Sequence, residues 1–290
     1  MGQQSSCCES APGGTSMPSW GDAVIQKEVS SGSGDECEQQ SNSAVCASGC
    51  GACSATASPA TDKEMAMGQR SRNNAQPEQQ PQSRPPTTFA NGATYTGEWL
   101  NNFRHGQGTM RWRDGDVFEG QWRQDKAHGR GMYTNMKGAR YSGEWNDDLQ
   151  DGEGEEDWPH GDRYYGQYRK GQKSGLGSFT FADGSKYQGG FLDNDLHGVG
   201  TYSWSDGRTY TGEWRANRMH GKGSSTWPDG RSYEGEYIAD LKHGTGYFKW
   251  PNGSAYRGQF KNGKQHGEGL YTDVDGQPSQ AQWEDGQRLA

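Results

Sequence analysis

The first residues that could do chemistry stand at the N-terminus, Met1-Gly2-Gln3-Gln4-Ser5-Ser6-Cys7-Cys8. They satisfy the Met-Gly-x-x-x-Ser rule for N-myristoylation of Gly2 once Met1 is removed, and Cys7 and Cys8 stand where palmitoylation commonly joins it. One myristoyl chain binds a bilayer with only about 10⁴ M⁻¹, so stable anchoring takes a second signal. No polybasic cluster supplies it here, which leaves acyl chains on Cys7 or Cys8. The plain alternative is a terminus that begins Met-Gly by chance, and the adjacent Cys pair weighs against that.

Three other groups invite a chemical reading and do not support one. Cys46, Cys50 and Cys53 have the Cys-x3-Cys-x2-Cys spacing of the cluster motif in radical S-adenosylmethionine enzymes, but no strand–helix alternation follows. With Cys37 they could also form a four-thiolate zinc site, although the spacing before Cys46 is unusual. A Ser/Ala/Gly tract with incidental or acylated thiols explains them better. His105, His128, His197, His220, His243 and His266 recur in register, but equivalent positions in stacked two-strand units lie about 10 Å apart. Metal ligands must converge at about 2 Å, so these read as turn residues beside glycine. His160 is out of register and takes no role. Gly258 to Lys264 resembles the opening of a phosphate loop, but Gln265 stands where Ser or Thr belongs and no helix follows. No cofactor or small-molecule substrate is expected.

Composition separates two regions near residue 88. Residues 1–88 carry 5 basic and 9 acidic side chains, and the remainder 24 and 28, so neither part offers a basic footprint for nucleic acid or anionic lipid. The first region is rich in Ser, Gln, Ala, Gly and Pro, and too poor in apolar residues to offset its ordering entropy, so it reads as a disordered tail. No run of about 20 apolar residues and no secretory signal appear, which points to the cytoplasm and reduced thiols. With 46 Gly, 11 Trp and 14 Tyr but only 29% hydrophobic residues, the chain suits thin sheets of rings laid over glycines.

From residue 89 to 290 the chain repeats. Tyr95, Phe118, Tyr141, Tyr164, Tyr187, Tyr210, Tyr233 and Tyr256 open eight units of 23 residues with no insertion. Counting that aromatic as position 0, Gly fills positions 2, 11, 13 and 20 in all eight units, beginning with Gly97, Gly106, Gly108 and Gly115. Position 4 is aromatic throughout (Trp99 to Phe260), and position 17 mostly so, as in Trp227. Periods of this size mark arrays of supersecondary units.

Each unit reads as a β-hairpin. Tyr210-Thr211-Gly212-Glu213-Trp214 alternates as a half-buried strand does. A polar connection over 215–220 is expected next, then a second strand over 221–227. Pro228-Asp229-Gly230 turns into the next unit, with Asp-Gly or Asn-Gly as the hairpin signal. Positions 0, 2 and 4 share one face, and 15 and 17 another strand's face, giving one aromatic side with room at the glycines for rings of neighbouring strands. Sixteen strands at about 4.8 Å make a sheet of roughly 75 Å. Its edges are expected near 89–94 and 279–283.

Tyr-x-Gly-Glu-Trp, His-Gly-x-Gly and Asp-Gly together resemble the MORN repeat (membrane occupation and recognition nexus), most cleanly at Tyr210 to Ser232. Asp151 and Ser174 replace the His in units three and four. The resemblance implies an all-β fold: an elongated, single-layer antiparallel array of eight hairpins behind the tail. It also implies a family of scaffolds, dimerisation modules or lipid binders at membrane–cytoskeleton junctions and in flagella, with no reaction of its own. The expected function is a non-catalytic scaffold held by acyl groups on the cytoplasmic face of a membrane, whether plasma membrane or a cortical or ciliary compartment. The array would bind a protein partner or a second copy. The alternatives are a ciliary or cortical cytoskeletal component in the cytoplasm without an anchor, and a phosphoinositide-binding module. The kinase, methyltransferase or transmembrane segments that accompany such repeats elsewhere would have to be appended, and only Ser279 to Ala290 follows the eighth unit, so an enzyme is not expected.

Overall fold

The computed structural model describes residues 79–289. They form nineteen strands and no helix. Every strand pairs antiparallel with its neighbours in sequence, so the array is one continuous meander, a single open sheet. β1 is Gln82–Thr88, and each repeat then contributes a seven-residue and a nine-residue strand, beginning with β2 (Thr94–Leu100) and β3 (Phe103–Arg111). The sixteenth of these is β17 (Lys264–Thr272), after which β18 (Pro278–Glu284) and the two-residue β19 (Gln287–Arg288) close the sheet.

Two turn types alternate, and they differ from the sequence expectation. The connection expected over 215–220 is a two-residue turn, Ala216-Asn217, between β12 (Thr209–Arg215) and β13 (Arg218–Thr226). Both residues have positive φ, 48° and 64°, which is the type I′ geometry whose twist matches that of the flanking strands. The second strand therefore starts three residues early. Asp229-Gly230 instead belongs to a three-residue loop: Gly230 N–H donates to Trp227 O at 3.0 Å, and Trp227 N–H to Arg231 O at 3.0 Å. Gly230 at φ +91° supplies the left-handed step that such a loop needs.

Successive I′ turns lie side by side and are fastened together. Asp240 N–H donates to Met219 O at 3.0 Å, while Met219 N–H donates to Asp240 Oδ1 at 2.8 Å. Asp125, Asp148, Asn194 and Asn217 do the same for Arg104, Ala127, Lys173 and Leu196. Burial pushes the Asp148 and Asp240 carboxyls up, against the N–H bonds and cationic neighbours that favour their charge.

The sheet exceeds sixteen strands by three. β1 lies inside the 1–88 segment assigned to the tail, and pairs with β2 through Gln82↔Trp99 and Thr88↔Thr94. Its Pro85 and Pro86 fall at a break in register between Arg84 and Thr87. The edge expected near 89–94 is thus covered.

Candidate functional site

The eight position-0 rings form the centre of the aromatic side, and seven of them are tyrosines. Tyr95, Tyr141, Tyr164, Tyr187, Tyr210 and Tyr256 are fully buried. Each ring lies over the glycine two residues on in its own strand and over the facing glycine of the neighbouring strand. Tyr210 covers Gly212 and the facing Gly223: a Cβ on Gly212 would stand 2.5 Å from the Tyr210 hydroxyl, and one on Gly223 would enter its ring. Gly97 lies in the same way under Tyr95. The hydroxyl donates to the position-3 carbonyl, Tyr95 to Glu98 at 3.0 Å and Tyr210 to Glu213 at 2.9 Å. Burial pushes these phenols up, Tyr256 to about 12.

Position 4 joins one unit to the next. Trp122 meets the edge of its own Phe118 at 5.1 Å and of the preceding Tyr95 at 5.5 Å. Tyr187 and Trp214 repeat that contact across units, and Trp214 Nε1 donates to Gly200 O at 3.2 Å. Trp99 closes on Tyr95 at 5.2 Å, and Trp227 lies half-buried above Phe248 at 6.1 Å. These edge-to-face pairs and ring burial are what a single layer has in place of a second sheet.

Position 9 also belongs to this side, which the sequence reading missed. It holds Arg104, Lys173 and Lys242 in units one, four and seven, all buried. Lys173 Nζ lies 2.7 Å from Glu156 Oε2, both side chains being almost wholly enclosed, and Tyr168 donates to the same oxygen at 2.8 Å. Desolvation pushes Glu156 up and Lys173 down, each opposed by the other's charge. The recurrence of a cation every third unit was the available signal.

The opposite side carries positions 1, 3, 12 and 14. Between Gly212 and Glu213 the register slips, so Gly221 and Lys222 form a bulge in β13. The Glu213 carboxylate caps it, accepting Lys222 N–H at 2.9 Å. Glu98, Gln121, Gln167 and Glu236 cap Gln107, Arg130, Leu176 and Thr245 in the same way. That is why Glu or Gln follows the glycine, and the His-Gly step marks the bulge: His220 stands opposite Glu213 in the strand and not in a turn. No group of three or more metal-ligating side chains occurs among the described residues. Two open troughs run along this side, one of about 800 Å³ lined by Lys222, Glu234, Glu236, Tyr247 and Arg257 among others. The second passes Glu119, Arg130, Glu153 and Tyr165. Both troughs lie on the polar side of the sheet. Gly263 lies in the two-residue turn before β17, and Lys264 is the first residue of that strand. Gly2, Cys7, Cys8, Cys37, Cys46, Cys50 and Cys53 lie outside the described residues.

An antiparallel meander of eight in-register hairpins, with rings seated on paired glycines, defines a repeat array that presents two faces and two edges. The MORN repeat matches residues 95–117, 118–140, 141–163, 164–186, 187–207, 210–230, 233–255 and 256–277. The chain belongs to the MORN-repeat proteins. No curated protein sequence matches it significantly. Among solved structures it is similar to the TCP10 domain of Danio rerio CPAP, at 12% identity and TM-score 0.38, over 71% of this chain and 98% of that one. The G-box domain of the microcephaly protein CPAP is alike at 14% identity and TM-score 0.37, over 70% and 99%. The TCP10c domain of Drosophila melanogaster Sas-4 follows at 13% and 0.29, over 62% and 99%. Likeness at this level bears on neither ligand nor partner.

Proposed function

We propose that this protein is a non-catalytic scaffold, tethered by acyl groups on Gly2, Cys7 and Cys8 to the cytoplasmic face of a membrane, whose repeat array binds protein partners or a second copy. The supporting observation is the contrast between the two edges. β1 carries two prolines, which cannot donate to an added strand. At the other end, β19 pairs only with Trp283 and Glu284, leaving the outer margin over 278–281 short of a paired strand among the described residues. Such a margin invites strand addition, and with one edge blocked the closed solution is a two-fold dimer through β18 and not a fibre. Lys and Arg do not cluster on the trough side, where Glu119, Glu153 and Glu234 alternate with Arg130 and Lys222, so direct recognition of anionic lipid is disfavoured.

Sedimentation of the full chain is expected to give a dimer, and Gln280→Pro to shift it toward monomer. A strictly monomeric wild type that floats with phosphoinositide vesicles through its repeats would reverse the reading. Labelling with an alkynyl myristate analogue should mark wild type and not Gly2→Ala, and Cys7→Ser/Cys8→Ser should leave weak, reversible membrane binding. Without label, the scaffold has no such anchor.

A further inference from the structure

In seven of the eight units, the space above the position-11 glycine is filled by the Glu or Gln side chain of position 3. A Cβ on Gly106, Gly129, Gly152, Gly175, Gly221, Gly244 or Gly267 would meet that carboxylate or amide. Unit five differs. Its position 3 is Gly190, and nothing lies within 4 Å of where a Cβ on Gly198 would stand. Gly198 keeps the φ of +70° that shapes the bulge, so the backbone form persists without its cap. Val199 is the counterpart of Gln107, Arg130, Leu176, Lys222 and Thr245, whose N–H groups donate to the capping oxygen in their own units.

The surroundings are equally distinct. Gly190 on β10 (Lys186–Leu192) pairs with Leu176 on β9 (Gln172–Thr180), and Val199 follows on β11 (Asp195–Ser203). Leu176 is 69% exposed, Val199 68% and Tyr165 59%, a concentration of open apolar side chains on an otherwise polar side. Positions 1, 3, 12 and 14 hold Tyr165, Gln167, Leu176 and Ser178 in unit four, and Gln188, Gly190, Val199 and Thr201 in unit five. None is charged, whereas every other unit has at least one charge among these four positions.

We propose that unit five is a docking site for an extended segment of a second protein, whose glutamate side chain enters the space over Gly190 and Gly198 and accepts the Val199 N–H. Apolar residues flanking that glutamate rest on Leu176, Val199 and Tyr165. The partner thus supplies the cap that this chain supplies to itself elsewhere. A carboxylate is specified because the bond to it is charge-assisted, as it is where Glu98, Glu213 and Glu236 cap the same bulge in their own units. The site rests on the array being a protein-binding surface, but the sedimentation and labelling tests above do not touch unit five, so the two can fail separately.

A random peptide library displayed against the full chain, with Gly190→Glu for counter-selection, tests this. Enriched peptides should carry Glu between apolar residues, and bind wild type about tenfold or more tighter than Gly190→Glu, which fills the site from within. A Cβ at residue 190 crowds His197 O, so the backbone there must adjust. Leu176→Ser/Val199→Ser, confined to exposed side chains, is the second variant and should weaken the same peptides without loss of fold. No enrichment over the counter-selection, equal binding to both variants, or a wild-type dimer that Gly190→Glu dissociates would each overturn the proposal, the last by making a second copy the occupant.

Discussion

Two places on the aromatic side, three units apart, are built from the same register positions and settle the same problem differently. In the first, Lys173 lies under Trp158 and beside Tyr164, with ammonium-to-ring distances of 4.9 and 5.2 Å. In the second, Lys242 lies under Trp227 and beside Tyr233, at 5.1 and 5.5 Å. Tyr168 corresponds to Tyr237, and both are buried. The difference is position 15 of the preceding unit. There Glu156 accepts from Lys173 and Tyr168, while its counterpart Ser225 meets the Tyr237 hydroxyl at 2.6 Å. A lysine embedded among rings is therefore compatible with this sheet with or without a carboxylate at that position. The carboxylate's own desolvation makes its contribution depend on the pair remaining whole.

The largest expected effect follows directly. Glu156→Leu leaves Lys173 enclosed without its counter-charge and should cost about 3–5 kcal/mol, measured by denaturant unfolding. Ser225→Ala removes one neutral hydrogen bond and should cost about 1 kcal/mol. If the two costs are equal, the Glu156 carboxylate is not what supports Lys173 and the contrast between the sites is empty. Next in size is the rescue: Glu156→Leu/Lys173→Met should recover most of the loss, because a buried pair is often replaceable by apolar residues of similar volume. A double variant no more stable than Glu156→Leu would show that packing, and not the stranded charge, sets the cost.

How far these sites could be read from the sequence differs for each part. The position-0 and glycine columns gave the strands, their faces and the ring-on-glycine contact, since period-two alternation survives any ambiguity about turns. The two-residue turns were hidden, because Ala216-Asn217 has no glycine to mark its positive φ, whereas Asp229-Gly230 advertises the strongest short turn signal and forms the longer loop. β1 was hidden by Pro85 and Pro86, which read as linker until an edge strand makes use of them. Nothing local distinguishes a buried ion pair from a solvated one when its partners sit on strands separated by a third, as β7 (Leu149–Asp157) and β9 are by β8 (Arg163–Arg169).

Alkaline pH should separate the two places by a smaller margin. Burial raises both Tyr168 and Tyr237 above the ordinary phenol value of 10.0, Tyr168 further because the Glu156 charge adds to it, while the Ser225 hydrogen bond lowers Tyr237. A folded-state value above the unfolded one means that the native state holds more protons, so the stabilisation is complete below pH 10 and is lost as pH rises through the folded values. Hydrogen exchange on β14 (Ser232–Ile238) should therefore quicken at lower pH than on β8. Simultaneous loss, or loss in β8 first, would break the assignment of the carboxylate's influence.

The smallest effect concerns the backbone beneath the two lysines. Lys173 N–H donates to Asn194 Oδ1 at 2.9 Å, and Asn194 N–H returns a bond to Lys173 O at 3.0 Å. Three units on, Gly263 N–H donates to Lys242 O at 2.9 Å, but glycine has no side chain with which to complete the exchange. Gly263→Asn should supply it. The conformation is no obstacle, since Gly263 has φ +84° and Asn194 already occupies the same turn position at φ +73°, and asparagine tolerates the left-handed region better than most residues. Two gains then act together: a hydrogen bond, and fewer conformations of the unfolded chain to lose than glycine has. Their sum should be about 1 kcal/mol, visible as a modest rise in the unfolding midpoint, and Asn194→Gly should lose a similar amount. If Gly263→Asn destabilises while Asn194→Gly is neutral, the side-chain half of the staple contributes nothing, and unit-to-unit fastening in this array rests on the backbone bond and the ring contacts alone.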